Sequence, residues 1–278
     1  MNILSLQSEV VYGYVGQRAA RFALERLSHN VWSIPTVILS NHTGYAHVGG
    51  ETLPAELILK LTSGLIANDW LARCDAVLSG YLGSAGQAEI VGDLVRKVKR
   101  ANPGAFYCLD PVFGDAGRAY AKPGVAEAMA RTLLPLADIV TPNAFELSSL
   151  TSVPVRDAAE AIVAARRLAR PVIACTSIPS GVDRIGTLVL EEGEAWLATT
   201  PLLGNAPHGA GDLFAALFLA ARLEGRTLRD CALRATSSVF AVLEKSVAAG
   251  SSEMLLIQAQ EALLNPPVRA DVRVERKE

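Results

Sequence analysis

Several features are missing from this 278-residue sequence, and each absence excludes a class of protein. No apolar run reaches the roughly 20 residues that a membrane helix needs, since the longest, Leu213 to Ala221, is about half that length. No basic cluster precedes the last few residues, and 26 basic side chains stand against 28 acidic ones, so nucleic acid is not an expected partner. Because no charged leader precedes the first strand-like run, we expect a cytoplasmic protein without a membrane segment.

Cysteine is also scarce. Cys74, Cys108, Cys175 and Cys231 are widely spaced, form no Cys-x-x-Cys pair and lie in apolar surroundings. This distribution argues against a zinc site and predicts reduced thiols in the core. The histidines form no metal-binding pattern either, and we expect His29 at the surface.

Two common phosphate-binding motifs are absent. The sequence contains neither Gly-x-x-x-x-Gly-Lys-Ser/Thr nor Gly-x-Gly-x-x-Gly. A P-loop enzyme and a dinucleotide dehydrogenase therefore lose their main support, and any phosphate site must be built in another way.

The regular pattern is an alternation of β-rich and amphipathic runs. Strand-like runs lie at 2–6, 31–39, 75–79, 106–110, 138–141 and 171–176, and helix-like runs between them include 55–68, 85–101, 125–134 and 157–169. This β-α-β-α order predicts a doubly wound, parallel α/β sheet.

A different pattern follows in the last third of the chain. The runs 186–190 and 195–199, separated by an acidic turn, predict a hairpin at an antiparallel edge. Three helical segments are expected near 209–224, 227–247 and 253–265, and the polar tail from about 268 is expected to fray. Because no linker or repeat interrupts the chain, we treat residues 1–278 as one domain.

Polar and glycine-rich residues follow six of the predicted strands. In an open α/β sheet, ligands bind at the carboxyl ends of the strands, so these residues are expected to meet in one crevice. The sharpest local signal is Gly209-Ala210-Gly211-Asp212, directly ahead of an apolar helix. A helix N-terminus with small residues presents free N–H groups and suits a phosphate, and Asp212 beside it can accept a hydroxyl proton. The alternative is that Asp212 only caps a helix.

An acidic group is the second signal. Asp110 and Asp115 share one turn, while Asn143 and Glu146 are three residues apart at a predicted helix start. Such oxygen ligands hold magnesium beside nucleotide phosphates, largely through water. The alternative is that these residues are ordinary turn and cap residues.

These motifs together resemble the ribokinase superfamily of small-molecule kinases and, within it, the pyridoxal kinases. The acidic group, Asn143 with Glu146, and the glycine-rich turn at 209–212 are typical of the whole superfamily. Three further segments are similar to pyridoxal kinases in particular: QS at 7–8 with VVYGYVG at 10–16, SNHTGY at 40–45, and LSGYLG at 78–83. The resemblance covers nearly the whole chain.

The resemblance implies a ribokinase-like, three-layer α/β/α fold with a central, mostly parallel sheet and an antiparallel edge hairpin. It also implies a homodimer that uses ATP and Mg²⁺ to phosphorylate the 5′-hydroxymethyl group of pyridoxal, and of pyridoxine and pyridoxamine. Asp212 would be the catalytic base, and Gly209, Ala210 and Gly211 would form the anion hole. Asp110 and Glu146 would hold Mg²⁺, largely through water.

Substrate and nucleotide contacts are implied in the same way. Ser8 and Thr43 would bond the pyridine ring, Val15 and Tyr81 would form its walls, and Gly44 and Asp212 would complete that site. The residues implied in ATP binding are Asp110, Asp115, Thr141, Asn143, Glu146, Thr176, Ser177, Thr200, Pro201, Leu202 and Leu203.

Four positions depart from the usual family pattern. Glu9 stands where histidine is frequent, Ala210 where threonine is frequent, and Phe113 where methionine or leucine is usual. His208 directly precedes the glycine turn, and three interpretations stay open for it: a nucleotide contact, a lid residue or a solvent-facing side chain without a role. Two other functions stay open: a related kinase for a hydroxymethyl-pyrimidine, sugar or nucleoside, and a non-catalytic pyridoxal 5′-phosphate binder.

Overall fold

The structure, a computed structural model, describes residues 1–275. The strands are β1 (Asn2–Val10), β2 (Asn30–Leu39), β3 (Gly50–Thr52), β4 (Ala76–Ser79), β5 (Phe106–Leu109), β6 (Gly114–Asp115), β7 (Arg118–Ala119), β8 (Ile139–Val140), β9 (Val172–Pro179), β10 (Arg184–Glu191), β11 (Glu194–Pro201) and β12 (Asp271–Glu275). The helices are α1 (Gln17–Arg26), α2 (Ala55–Ala67), α3 (Ala85–Ala101), α4 (Val125–Ala128), α5 (Ala144–Thr151), α6 (Ala158–Leu168), α7 (Ala210–Leu223), α8 (Leu228–Ala248) and α9 (Glu261–Leu264). Shorter helical turns cover Trp70–Arg73, Met129–Leu133 and Leu134–Leu136.

One large sheet forms the centre of the molecule. Within residues 1–275 it has ten strands in the order β12-β11-β10-β9-β8-β5-β4-β1-β2-β3, and β6 and β7 form a separate hairpin. The strands from β2 to β9 in this order run parallel. β3 is antiparallel at one edge, and β10, β11 and β12 are antiparallel at the other. The predicted sheet and its edge hairpin are confirmed.

Helices cover both faces of this sheet. Along β1, Ile3 packs into the core that contains α1, α7 and α8, whereas Leu4 and Leu6 pack into the core under α2, α3 and α6. Successive strand side chains point to opposite faces, so a strand buried on both sides needs apolar residues at every position. The result is the expected three-layer α/β/α arrangement.

A buried polar chain fixes the point where β1 leads into α1. The Ser5 hydroxyl donates to Gln17 Oε1 at 2.9 Å and accepts from Gln7 Nε2 at 3.0 Å. Gln17 Nε2 donates to the Ser5 carbonyl at 2.8 Å. Because buried polar groups are costly unless paired, this chain holds the loop at 11–16 in one position above the sheet.

One predicted helix is shorter than expected. The segment 253–265 contains only α9, because its first part folds back on α8, where the Leu255 N–H donates to the Ser246 hydroxyl at 2.8 Å. The predicted run 125–134 is helical throughout, since α4 continues as a π-helical segment and then as a 3₁₀ turn that contains Pro135. Apolar spacing alone does not distinguish a packed turn from a regular helix.

The expectation of a frayed tail is wrong for residues 271–275. They form β12, which pairs with β11. Just before it, Ala270 is 4% exposed, and the N–H groups of Arg269 and Ala270 each donate to the Ser237 hydroxyl at 3.2 Å. The rest of the predicted tail, 276–278, lies outside the described residues.

The cysteines behave as the sequence predicts, but one histidine does not. All four thiols are buried and free. His29 was expected at the surface, yet it is only 8% exposed, and neither ring nitrogen has a hydrogen-bond partner in the described part of the chain. No helix within residues 1–275 is both long and apolar enough to cross a membrane.

Docking of the tail gives a direct test by substitution. We expect Ala270→Asp to lower the free energy of unfolding by about 3 kcal/mol, because it places an unpaired carboxylate in a buried site. Val268→Asp, two residues earlier at 77% exposure, is the control and should change stability by less than about 0.5 kcal/mol. Urea unfolding of both variants is the measurement, and equal stabilities would contradict the docked tail.

Candidate active site

The N-terminus of α7 faces the carboxyl end of the parallel strands. Gly209 is its capping residue, with φ at 96°, and no side chain caps the helix. A Cβ on Gly209 would lie 2.0 Å from the Tyr14 carbonyl oxygen and 2.7 Å from Met254 Cε, so only glycine fits. Because Gly209 has no side chain, it accepts none of the first N–H groups of α7, which is the arrangement of an anion site. Ala210 keeps these backbone donors although it lacks the threonine hydroxyl.

Asp212 lies in the first turn of α7, beside these donors. Burial raises the pKa of its carboxyl to about 6, although hydrogen bonds from its own N–H and the Gly16 N–H favour the charged form. A carboxylate with this pKa is ionised at neutral pH and still accepts a proton more readily than an exposed aspartate. Its geometry therefore suits a general base, and its contact with Gly16 joins it to the loop after β1.

Asp110 follows β5 and faces Asp212. It is 3% exposed, its Oδ1 accepts the Thr141 hydroxyl at 2.9 Å, and its Oδ2 has no hydrogen-bond partner among residues 1–275. Burial, and then the charge of Asp212, raise the pKa of Asp110 to about 8. An unpartnered buried carboxylate oxygen is a suitable ligand for a hard cation. Among residues 1–275, no group of three or more His, Cys, Asp or Glu side chains has the arrangement of a metal site.

Glu146 and Asn143 hold the start of α5. Asn143 Oδ1 accepts the Glu146 N–H at 2.9 Å, and Glu146 Oε2 accepts the Asn143 N–H at 2.9 Å, which completes a capping box. Glu146 Oε1 also accepts the Phe113 N–H at 3.0 Å. Burial, and then Asp110, hold the pKa of Glu146 well above its usual range. Asn143 and Glu146 therefore cap α5, and the carboxyl of Glu146 is close enough to Asp110 for their charges to interact.

The β6–β7 hairpin brings two more side chains towards the acidic residues. Asp115 is exposed, and its Oδ1 accepts the Ala116 N–H at 2.7 Å. Tyr120, which the sequence did not single out, follows β7. Burial of its hydroxyl raises the pKa of Tyr120, and the charges of Glu146 and Asp212 raise it further. No local motif marks this tyrosine, because only the hairpin brings it there.

The nucleotide residues predicted on β9 lie beside α5. The Thr176 N–H donates to the Pro142 carbonyl at 2.9 Å, and Thr176 bridges to Asn143. Ser177 has φ at 60°, at the point where the register between β9 and β10 shifts. A non-glycine residue in this conformation is strained and often marks a ligand site.

The second group of predicted nucleotide residues lies at the end of the edge hairpin. Thr200 is buried in β11, Pro201 and Leu202 are exposed, and Leu203 is half-buried. Thr200 pairs with Ile185 of β10, and the Leu202 N–H donates to the Asp183 carbonyl at 2.8 Å. These bonds hold the four residues to the edge hairpin and do not connect them to Asp110.

The predicted ring-binding residues lie on loops and strand ends of three neighbouring strands. Ser8 is in a bulge of β1, and a Cβ on Gly16 would lie 2.3 Å from its Oγ. Val15 is buried in the following loop. Thr43 and Gly44 are exposed after β2, and Tyr81 is half-buried after β4. β1 pairs with both β2 and β4, so these loops flank one space.

The departures from the family pattern fall in different places. Glu9 is half-buried, and burial raises its pKa although the charges of Arg18 and Arg21 of α1 act in the opposite direction. Phe113 is buried, and its ring centroid lies 6.3 Å from that of Phe145, so it fills an apolar gap as expected.

His208 lies against the loop after β2. Its ring centroid is 4.5 Å from that of His42, and a Cβ on Gly44 would lie 2.9 Å from His208 Nε2. The residue ahead of the anion site therefore contacts the predicted ring-binding loop.

Glu253 is the main residue of this region that sequence reasoning missed. Its carboxylate accepts the Tyr45 hydroxyl at 2.7 Å and the Tyr14 N–H at 3.2 Å, and it lies 3.1 Å from His42 Nε2. His42 and Tyr45 belong to the SNHTGY segment, but Glu253 is more than 200 residues away and carries no motif of its own.

Comparisons with known proteins give a consistent family. The family model for phosphomethylpyrimidine kinase matches residues 27–256. The chain is 44% identical to pyridoxal kinase PdxY of Rubrobacter xylanophilus, over 98% of this chain and 97% of that protein. It is 40% identical to pyridoxal kinase PdxY of Corynebacterium diphtheriae, over 98% and 99% of the two chains.

A solved structure with the same arrangement supports the assignment. The pyridoxal kinase from Leishmania donovani in complex with ADP and pyridoxamine superposes with a TM-score of 0.93, at 30% identity, over 99% of both chains. High identity over nearly full length and the same fold agree with the motifs in the site. The chain therefore belongs to the pyridoxal kinase family of ATP-dependent kinases that phosphorylate an alcohol group.

Proposed function

We propose that this protein transfers the γ-phosphate of ATP to the 5′-hydroxymethyl group of pyridoxal, and that it also accepts pyridoxine and pyridoxamine. The observation that carries the proposal is Asp212, a carboxylate with a raised pKa beside the uncapped N-terminus of α7. The loops around the site also contain the three segments that resemble pyridoxal kinases. A binder without catalysis would not need a base at this position.

Asp212 is the catalytic base in this proposal. It accepts the proton of the 5′-hydroxyl while the hydroxyl oxygen bonds to the γ-phosphorus and the bond from that phosphorus to the β,γ-bridging oxygen breaks. The N–H groups of Gly209, Ala210 and Gly211 donate to the non-bridging oxygens of the phosphate. They stabilise the negative charge that spreads over these oxygens during transfer. ADP leaves with the bridging oxygen.

The acidic end of β5 is the proposed magnesium and nucleotide site. When bound, Mg²⁺ neutralises phosphate charge. Asp110 Oδ2 would hold the ion, and Glu146 would do so through water, because its oxygens already accept backbone N–H groups. We assign ATP contacts to Asp110, Asp115, Thr141, Asn143, Glu146, Thr176, Ser177, Thr200, Pro201, Leu202 and Leu203.

The three loops after β1, β2 and β4 are the proposed ring site. Ser8 and Thr43 bond the polar atoms of the pyridine ring, and Val15 and Tyr81 form its apolar walls beside Gly44. A small aromatic ring needs few directed hydrogen bonds and an apolar slot, which is what these side chains offer.

A second candidate is phosphorylation of a hydroxymethyl-pyrimidine. The matching family model carries a pyrimidine kinase's name, whereas the relatives are pyridoxal kinases. Both functions use the same base and anion site, so only the acceptor alcohol distinguishes them.

We further propose a single-domain homodimer in the cytoplasm. Four buried, free thiols fit a reducing compartment. Near the β3 edge of the sheet, Leu57 and Leu61 of α2, Trp70 and Ile38 are all more than 40% exposed. Leu57 and Leu61 are four residues apart and so lie on one face of α2, and exposed apolar side chains on one face are typical of a surface that a second copy covers.

Removal of the base is the first test of the proposed reaction. We expect Asp212→Asn to lower kcat about 10³-fold, because the amide cannot accept the hydroxyl proton. Formation of pyridoxal 5′-phosphate from pyridoxal and MgATP is the measurement, with pyridoxine, ribose and hydroxymethyl-pyrimidine as competing acceptors. Wild-type turnover of another acceptor alone would refute pyridoxal as substrate, and tight pyridoxal 5′-phosphate binding without ATP consumption would refute the kinase.

Asp110 gives a prediction of stability against pH. Its folded pKa, about 8, lies above the usual value, so wild-type stability falls as pH rises from about 4 to about 8. Asp110→Asn removes this loss. At pH 8.5 we expect it to raise the free energy of unfolding by about 1–2 kcal/mol, with a smaller gain at pH 5.

Thermal unfolding at both pH values measures this effect. Asp93→Asn, on the exposed surface of α3, is the matched control and should show no gain that grows with pH. We also expect MgATP to raise Tm less for Asp110→Asn than for the wild type. If Asp110→Asn gained more stability at pH 5 than at pH 8.5, the prediction that the ionised Asp110 is buried without compensation would be wrong.

The dimer predicts a molecular mass near twice the 29.4 kDa of one chain. Leu61→Glu should shift the protein to monomers, because it places a charge in the proposed interface. Val163→Glu is the control, since Val163 is a 54% exposed residue of α6. This helix packs against β9 and β10, near the sheet edge that is opposite to β3. Analytical ultracentrifugation gives the masses, and a monomeric wild type would disprove the dimer.

A further inference from the structure

Glu253 lies in the segment after α8, between residues that are part of the core. Its side chain is only 10% exposed, and Met254 and Leu256 beside it are fully buried. No lysine or arginine of residues 1–275 forms an ion pair with it, and His42 is its only partner in such a pair. A buried carboxylate without a cation is retained at a cost, so the groups that it contacts are informative.

Every partner of this carboxylate is a hydrogen-bond donor. Oε1 accepts the Tyr45 hydroxyl, and Oε2 accepts the Tyr14 N–H. His42 Nδ1 accepts the Gly44 N–H at 3.1 Å, so the ring proton of neutral His42 is on Nε2, which donates to Oε1. Both oxygens must therefore be acceptors.

The donors come from two loops that lead to the proposed substrate. Tyr14 directly precedes Val15 and Gly16, whose N–H bonds the base Asp212. His42 and Tyr45 flank Thr43 and Gly44 of the proposed ring site. One carboxylate thus joins the loop that orients the base to the loop that would orient the ring.

Packing around Glu253 leaves little room for another arrangement. A Cβ on Gly13 would lie 2.4 Å from Glu253 Oε2, so the loop after β1 rests directly on the carboxylate. From the same segment, Met254 Cε closely approaches Gly209 at the start of α7. The segment therefore supports the anion site and both ring-binding loops together.

We infer that Glu253 is a positioning residue, which joins the loops at 11–16 and 40–49 around the acceptor alcohol without contacting the reacting atoms. The inference rests on the proposed function, because those loops are assigned to the pyridoxal ring there. It predicts that loss of the carboxylate weakens the acceptor site and leaves the nucleotide site intact.

Glu253→Gln is the primary variant. Glutamine has one oxygen acceptor, and its other terminal group is an NH₂ donor. In either orientation of the amide, this NH₂ group faces another donor, which is the Tyr14 N–H or the pair of Tyr45 and His42. We expect KM for pyridoxal to rise at least tenfold, with KM for ATP within twofold of the wild-type value. Glu191→Gln is the matched control, because its ion pair with Arg222, at 2.8 Å, lies on β10 away from these loops. It should leave both KM values unchanged.

A second variant keeps the test valid if Glu253→Gln folds poorly. Tyr45→Phe removes one donor from the half-buried end of the network, and we expect a three- to tenfold rise in KM for pyridoxal alone. In the double variant the two effects should not multiply, because both remove the same connection. Equal rises in KM for pyridoxal and ATP, unchanged KM values, or multiplicative effects would each overturn the inference.

The wild-type assay separates this inference from the proposed function. If the wild type does not phosphorylate pyridoxal, the proposed function fails, and the same comparison is made with the alcohol that it does phosphorylate. If the wild type is active and Glu253→Gln retains its pyridoxal KM, only the role of Glu253 fails.

Discussion

The site depends on carboxyl groups that are brought together in a buried place without a cation to pair with them. Asp110 and Asp212 face each other with Glu146 behind them, and no lysine or arginine of residues 1–275 forms an ion pair with any of the three. Backbone N–H groups and one hydroxyl supply the compensation, and Asp110 Oδ2 receives none. The folded protein is therefore less stable than it could be. A magnesium nucleotide bound here would offset the cost of burying these carboxyl groups.

Close backbone approach is the means by which these groups are brought together. Gly209 allows α7 to start against the Tyr14 carbonyl, and Gly16 allows the preceding loop to rest on Ser8. The N–H of Gly16 then reaches Asp212. A side chain at either glycine would separate Asp212 from the loop at 11–16, because the nearest atoms include the backbone carbonyls of Tyr14 and Ser8, which cannot move aside.

The features that the sequence could predict are those with local causes. The strand ends that carry Asp110, Thr141 and Asn143 follow from short apolar runs, which are readable residue by residue. The contact of Glu253 with Tyr45 joins residues 208 positions apart, and no local pattern indicates it. The sequence did not predict β12 for a related reason. An edge strand with exposed residues has the composition of a polar tail, and only its pairing with β11 defines it as a strand.

Selection of the acceptor alcohol must come from the loops and not from the reacting end. The proposed base, anion site and acidic residues would serve phosphate transfer to any alcohol, so a pyrimidine kinase and a pyridoxal kinase can share them. One or two hydrogen bonds, worth about 1–3 kcal/mol each, separate such substrates. That discrimination requires loops that do not adapt to the wrong ring, because a mobile loop would pair with either. A buried carboxylate that holds two such loops at fixed distance is therefore a means of selectivity as well as of affinity.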